Sequence, residues 1–207
     1  MKKSDKIIKY LKDTYRPFAI IVYGSFSNGS ENEGSDFDAL LIADSVKKHD
    51  TSFIDNTALD VFVYPLEAFR SAYDPKEFVQ IRDGRIVLDS NGIAESLQKN
   101  VIDYIEHIPQ KSADEIRDEI SWCEKMLSRT ARQDAEGYYR LHLLLVESLE
   151  IYCDAKGMRF NGPKKTIRFM EQTDKEAFKL YFAALKTPER ETLSKWIDYL
   201  KRLSNFR

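Results

Sequence analysis

Hydrophobic spacing changes character once along this chain, near Asn91-Gly92, and that change limits the folds open to it. Before it, short apolar runs alternate with stretches rich in glycine, serine and aspartate. After it, nearly every segment to Arg207 repeats its apolar residues at helical spacing. A mixed α/β half followed by an all-α half predicts an α+β protein with two domains, 1–92 and 93–207. Helices are expected at about 93–107, 113–132, 137–156, 163–172, 174–185 and 189–204, with breaks at Pro109, Gly137, the stretch from Gly157 to Pro163, Thr173 and Pro188.

In the first half, Ser4 to Tyr15 carries Ile7, Ile8, Tyr10 and Leu11 among charged residues, an amphipathic helix with Ser4 as its expected N-cap. Phe18 to Tyr23 is a continuous apolar run, as befits a central strand buried on both faces. Strand character returns at Asp36 to Ile42 and again at Ala58 to Tyr64, which Pro65 closes. A helical piece is expected from Leu66 to Ala72. Phe78 to Arg82 and Arg85 to Leu88, separated by Asp83-Gly84, read as a small hairpin.

Composition narrows the function classes. The chain has 207 residues, 43% of them hydrophobic and 12% aromatic, enough for genuine cores. Charged residues make up 32%, yet the formal net charge is only -2, and neither half is a basic arm. A dedicated nucleic-acid binder needs a clear basic excess, so that class is set aside. Met1-Lys2-Lys3 is followed by no signal-type apolar stretch, and no run reaches membrane-spanning length, so a soluble cytoplasmic protein is expected. Cys123 and Cys153 are far apart in helix-like segments and read as reduced, partly buried thiols.

The chemistry concentrates between Gly24 and Asp60. Asp36 and Asp38 are two apart on a strand, so their side chains leave one face while Phe37, Ala39 and Leu41 occupy the other. Adjacent carboxylates repel unless a cation sits between them, and an all-oxygen set suits Mg²⁺. Asp60 stands mid-strand between Leu59 and Val61, where a lone charge would be costly to bury. On a neighbouring strand it would complete a three-carboxylate cluster able to hold two metal ions. Ahead of the pair, Gly24 to Ser35 contains three glycines and four serines. Gly24-Ser25 closes the preceding strand, where free backbone N–H groups and the Ser25 hydroxyl could cradle a phosphate chain, with Ser35 at the far end of the same stretch.

The run from Val22 through Gly24-Ser25 and Asp36-Phe37-Asp38 to Ile42, with Asp60 one strand later, resembles the signature of polymerase-β-like nucleotidyltransferases. The resemblance implies that Asp36 and Asp38 bind Mg²⁺, that Asp60 is the third ligand, and that Gly24 and Ser25 hold a nucleoside triphosphate. Many small members carry an arginine soon after Gly-Ser, where Ser27-Asn28 stand here. A cation for the triphosphate would then have to come from elsewhere.

The helical half offers two candidates. Arg140, Glu147 and Asp154 fall on one stripe of a long helix, either a solvated ionic stripe or a placement that turns Glu147 towards the site as a base. His142 lies off that stripe and reads as a core or boundary residue. Lys164 and Lys165 sit in the first turn of a helix begun by Asn161 or Gly162 and Pro163. Lysines are unfavourable at that positive end, so they are either ordinary surface charges or partners of an anion such as triphosphate. This half is similar in layout to the helical substrate domains of antibiotic nucleotidyltransferases, the aminoglycoside and lincosamide enzymes.

The combined expectation is Mg²⁺-dependent transfer of a nucleoside monophosphate, AMP from ATP, to a hydroxyl of a small acceptor such as an aminoglycoside-type antibiotic, with release of pyrophosphate. The rivals are nucleotidylation of a partner protein, in the manner of antitoxin-type members, and an inactive nucleotide-binding regulator. Oligomeric state, monomer or homodimer, is left open.

Overall fold

The computed structural model describes residues 2–132 and 134–204. It divides into two compact units, Met1–Ile108 and Pro109–Arg207.

The first unit is built on a sheet. Helix α1 (Lys3–Tyr15) leads into strand β1 (Ala19–Tyr23), every residue of which is buried. A short helix α2 (Ser25–Asn28) and an irregular loop connect it to β2 (Phe37–Ala43), followed by the small strands β3 (Lys48–Asp50) and β4 (Phe53–Ile54), the long β5 (Thr57–Pro65) and β6 (Arg85–Asp89). The sheet order is β3-β5-β2-β1-β6, with β4 also on β5. β1 lies antiparallel to both β2 and β6, whereas β2 and β5 run parallel.

Period-two alternation sends side chains to two cores. Phe37, Ala39 and Leu41 join Ile20, Val22, Val61 and Val63 beneath Ile7 and Leu11 of α1. Leu40 and Ile42 join Ile21 and Tyr23 on the other face, beneath α3 (Ile93–His107), which buries Ala94, Leu97, Val101 and Ile105 there. The division between the units therefore follows Ile108 and not residue 92. Helix α3 has helical periodicity, but its apolar stripe belongs to the sheet.

Three local expectations give way to other geometry. Lys2, not Ser4, caps α1, and the Lys2 amide donates to Asp5 Oδ2 at 3.1 Å. Leu66–Phe69 is a single 3₁₀ turn, shorter than the helix expected to Ala72. The hairpin over 78–88 does not form. Pro75–Ile81 is 3₁₀ interrupted by a kink at Phe78 (φ -120°, ψ 16°), begun by Asp74 accepting from the Lys76 amide at 2.9 Å, and Phe78 and Ile81 are both buried under α3. β6 instead pairs with β1. Gly84 is needed for room: a Cβ there would come within 2.7 Å of Ile21 Cγ2 and 2.9 Å of the Ile81 carbonyl oxygen. Gln98 Nε2 donates to that carbonyl and to the Gly84 carbonyl, tying the turn to α3.

The second unit is helical: α4 (Ala113–Arg129) with a 3₁₀ extension Thr130–Arg132, α5 (Ala135–Ala155), α6 (Pro163–Thr173), α7 (Lys175–Lys186) and α8 (Arg190–Ser204). Ser112 and Glu115 form a capping box at α4, and Asp134 caps α5 through the Gly137 amide. Trp196 and Tyr152 sit at the centre of the core among Leu144, Leu149, Met170 and Leu193. The Trp196 indole donates to Ser148 Oγ at 2.9 Å, so its one polar atom is satisfied inside. Asp174 accepts from Tyr152 and Tyr199 hydroxyls and Lys156 Nζ at 3.0, 2.7 and 2.7 Å, joining α5, α7 and α8. Cys123 and Cys153 are buried free thiols, as expected, and burial pushes Cys123 up to about 12. Among the described residues no helix is long and apolar enough to cross a membrane.

Candidate active site

Strand register draws a row of polar groups across one end of the first unit's sheet. Tyr23 on β1 is the register partner of Asp38 on β2, which is in turn the partner of Asp60 on β5. Register partners in a sheet point to the same face. The two carboxylates thus stand side by side on adjacent strands, half-buried, with the buried Tyr23 beside Asp38. Burial first, and then the charges of Asp60 and Asp38, push the Tyr23 phenol well above its ordinary value.

Asp36 precedes β2 and is exposed. Because Phe37 turns fully into the α1-side core, Asp36 and Asp38 are directed away from it, as the spacing requires. Asp36 is not drawn in against the other two: among the described residues, no three His, Cys, Asp or Glu side chains stand together in a way that could hold a metal ion. The structure therefore assembles the Asp38–Asp60 pair and leaves Asp36 in solvent at its edge.

Gly24 directly follows Tyr23 and closes β1 with φ +65°, ψ -150°. A Cβ there would lie 2.1 Å from Asp38 Oδ2, so glycine is required both for the backbone conformation and for the approach of the carboxylate. Ser25 opens α2, and Ser27 Oγ donates back to the Gly24 carbonyl at 2.7 Å, which stiffens the turn. Ser35 is engaged within its own loop: its hydroxyl accepts from the Asn32 amide at 2.9 Å and donates to Asn32 Oδ1 at 3.2 Å. It shapes the segment leading to Asp36.

His49, absent from the reading of the sequence, belongs to this row. Its Nε2 lies 2.6 Å from Asp60 Oδ1, and its ring stacks on Phe62 at 4.3 Å between centroids. The signal that could have exposed it is weak, since Lys48-His49-Asp50 is a three-residue polar edge strand without apolar alternation.

In the helical unit, Glu147 is exposed on α5 and lines a cavity of about 270 Å³ with Lys111, Glu119, Trp122, Glu150 and Ile151. Lys111 pairs with Glu119 and with Asp154, the latter at 2.9 Å, and Arg140 pairs with Glu136, so two members of the expected stripe are committed to ion pairs. His142 is exposed, contrary to the core or boundary position expected, because Leu141, Leu144 and Leu145 take the buried side of α5. Lys164 and Lys165 are exposed in the first turn of α6, which Pro163 opens after Gly162.

A bound divalent ion is tested by these donors. The set is all-oxygen and carboxylate, as Mg²⁺ prefers, and Asp38 Oδ2 sits in the space a side chain on Gly24 would fill. Asp38 and Asp60, in register on adjacent strands, have the right chemistry for such an ion, and among the described residues no third such side chain joins them to complete a metal site.

Comparison with known proteins gives the family of the chain. Residues 4–136 match the family described as "Nucleotidyltransferase domain". No curated protein matches the chain. Among solved structures, a nucleotidyltransferase-like protein from Exiguobacterium sibiricum is 13% identical, with 99% of this chain and 73% of that one covered and a TM-score of 0.41. A chain of a toxin-antitoxin solved with AMP-PNP is 23% identical over 58% of this chain and 99% of its own, with a TM-score of 0.35. The family match spans more than half of the sequence and contains Gly24, Asp36, Asp38 and Asp60, and on it this chain belongs to the nucleotidyltransferase domain family.

Proposed function

We propose that this nucleotidyltransferase transfers a nucleoside monophosphate, AMP from ATP, to a hydroxyl of a small acceptor and releases pyrophosphate. The observation that supports it best is the in-register pairing of Asp38 with Asp60 beside the glycine that ends β1. In this reading Asp38 and Asp36 would hold Mg²⁺ at the nucleotide, and Asp60 would be the third oxygen donor. When bound, the ion neutralises the polyphosphate and stabilises charge at the phosphorus.

The chain's own groups do the rest. The Gly24-Ser25 turn and the loop shaped by Ser35 receive the phosphates, and Asp60 orients the acceptor hydroxyl and takes up its proton. The acceptor oxygen bonds to the α-phosphorus as the bond to pyrophosphate breaks. In-line displacement of this kind is mostly a matter of positioning and charge. Glu147 is a second candidate base, and Lys164 and Lys165 are candidate cations for the triphosphate in place of the missing arginine. The helical unit would choose the acceptor. The cavity beside Glu147 is also lined by Glu150, the Trp122 indole and the Lys111–Glu119 ion pair, and the side formed by Glu147, Glu150 and Trp122 is where a cationic hydroxylated molecule of aminoglycoside type would bind. A nucleotide-binding regulator would have no need of all three carboxylates, and all three are present.

The test is incubation of the full chain with Mg²⁺, ATP labelled at the α-phosphorus, and a panel of aminoglycosides and lincosamides. Label should move to an acceptor with stoichiometric pyrophosphate. Label found only on a co-incubated protein would replace the small-molecule acceptor with a protein one.

A further inference from the structure

His49 is held more firmly than an edge-strand histidine needs to be. Its strand, β3, pairs antiparallel with β5, setting His49 opposite Phe62, and the two rings lie within 2° of parallel. The next residue, Asp50, is buried and accepts from the Tyr15 hydroxyl at 2.7 Å and the Ser52 amide at 2.9 Å, which anchors β3 to α1. Backbone and ring are therefore both fixed, and what the ring presents is Nε2, 2.6 Å from Asp60 Oδ1. A carboxylate oxygen only accepts, so Nε2 carries the hydrogen and donates it. The bond engages Oδ1 of Asp60 and leaves Oδ2 as the oxygen available to a ligand.

We propose that His49 is a positioning residue that fixes Asp60 as a single-oxygen metal ligand beside Asp38. The proposal rests on the carboxylate site described under the proposed function. Hydrogen-bonded partners of ligating carboxylates set ligand orientation, and their loss typically weakens metal binding by about 10–100-fold. An ordinary strand pair between groups this exposed, with side chains 45% and 43% accessible, would have no such effect.

The experiment titrates the full-length protein with Mn²⁺ alone, as a stand-in for Mg²⁺, and follows loss of the free-ion electron paramagnetic resonance signal. The proteins compared are wild type, Asp38→Asn, His49→Ala and His49→Gln, the last because its amide can offer an N–H close to where Nε2 stood. Wild type should bind, Asp38→Asn should lose that binding, His49→Ala should bind about tenfold or more weakly, and His49→Gln should recover most of the loss. Should His49→Ala unfold by circular dichroism, Phe62→Leu removes the ring stack while keeping the imidazole, and should weaken Mn²⁺ binding several-fold. Wild-type affinity in His49→Ala, no recovery in His49→Gln relative to a folded His49→Ala, or wild-type affinity in Phe62→Leu where it serves in place of an unfolded His49→Ala would overturn the positioning role. Failure of the underlying reading looks different: wild type and Asp38→Asn would then bind Mn²⁺ alike, and both proposals would fall together.

Discussion

At the scale of single residues, Gly24 carries the tightest constraint in the site. Its backbone sits in the left-handed half of conformational space, and its missing side chain is the space Asp38 Oδ2 occupies. Gly24→Ala adds a methyl group where there is a carboxylate oxygen, so either the strand end or Asp38 must move by an ångström or more. Displacements of that size at a reacting centre cost roughly 100-fold in rate. The expected outcome is a folded protein, by circular dichroism and melting, whose turnover has fallen by about that factor. Near-normal turnover would mean that Asp38 does not work from the position described. His49 makes the complementary point, since a residue unmarked by any sequence motif is bonded to the third carboxylate.

Among elements, α3 shows why helical periodicity alone misplaces a boundary. The spacing of Ala94, Leu97, Val101 and Ile105 identifies a helix correctly but not the surface it covers, which here is the sheet. Leu97→Ala should lower stability by about 2–5 kcal/mol in a denaturant titration, as expected for a buried leucine. In the helical unit, Asp174 links three helices. Burial works to raise its carboxyl, but hydrogen bonds from Lys156, Tyr199, the Ala177 amide and Tyr152 prevail and hold it below the ordinary carboxylate range. A depressed folded-state value means that this contribution is complete above the unfolded value, near pH 3.9. It is then lost as pH falls through the folded value. Asp174→Asn should cost about 3 kcal/mol at neutral pH. It should also flatten the acid limb of the stability curve below about pH 4. An unchanged acid limb would show that the network is not what holds these helices together.

The elements with strong patterns were legible from residues alone: β1 as an all-apolar run, β2 beginning just after Asp36 and carrying Asp38, β5, and each long helix to within a few residues. Polar or short elements were not. Lys48-His49-Asp50 forms a strand because β5 offers an open edge, and nothing in those three side chains announces it. Phe78-Val79-Gln80-Ile81 has strand-forming residues, yet the Asp74-Pro75 start and the burial of Phe78 and Ile81 beneath α3 leave it in two 3₁₀ pieces kinked at Phe78. Tertiary burial outweighed local propensity there.

At the scale of the whole molecule, each unit has its own buried core and its own polar feature: the acidic row in the first, and in the second a cavity lined by Glu119, Glu147 and Glu150. Membership of the nucleotidyltransferase family fixes the class of reaction, and the acidic row is the place proposed for it. That assignment can be tested through one oxygen-to-nitrogen change that keeps size and shape. The measurement is Mg²⁺-dependent pyrophosphate release from ATP in the presence of an accepted substrate, wild type against Asp38→Asn. Wild type should turn over and the variant should lose at least about 1,000-fold, the scale of removing a transition-state charge stabiliser. Equal turnover in the two proteins would contradict the assignment.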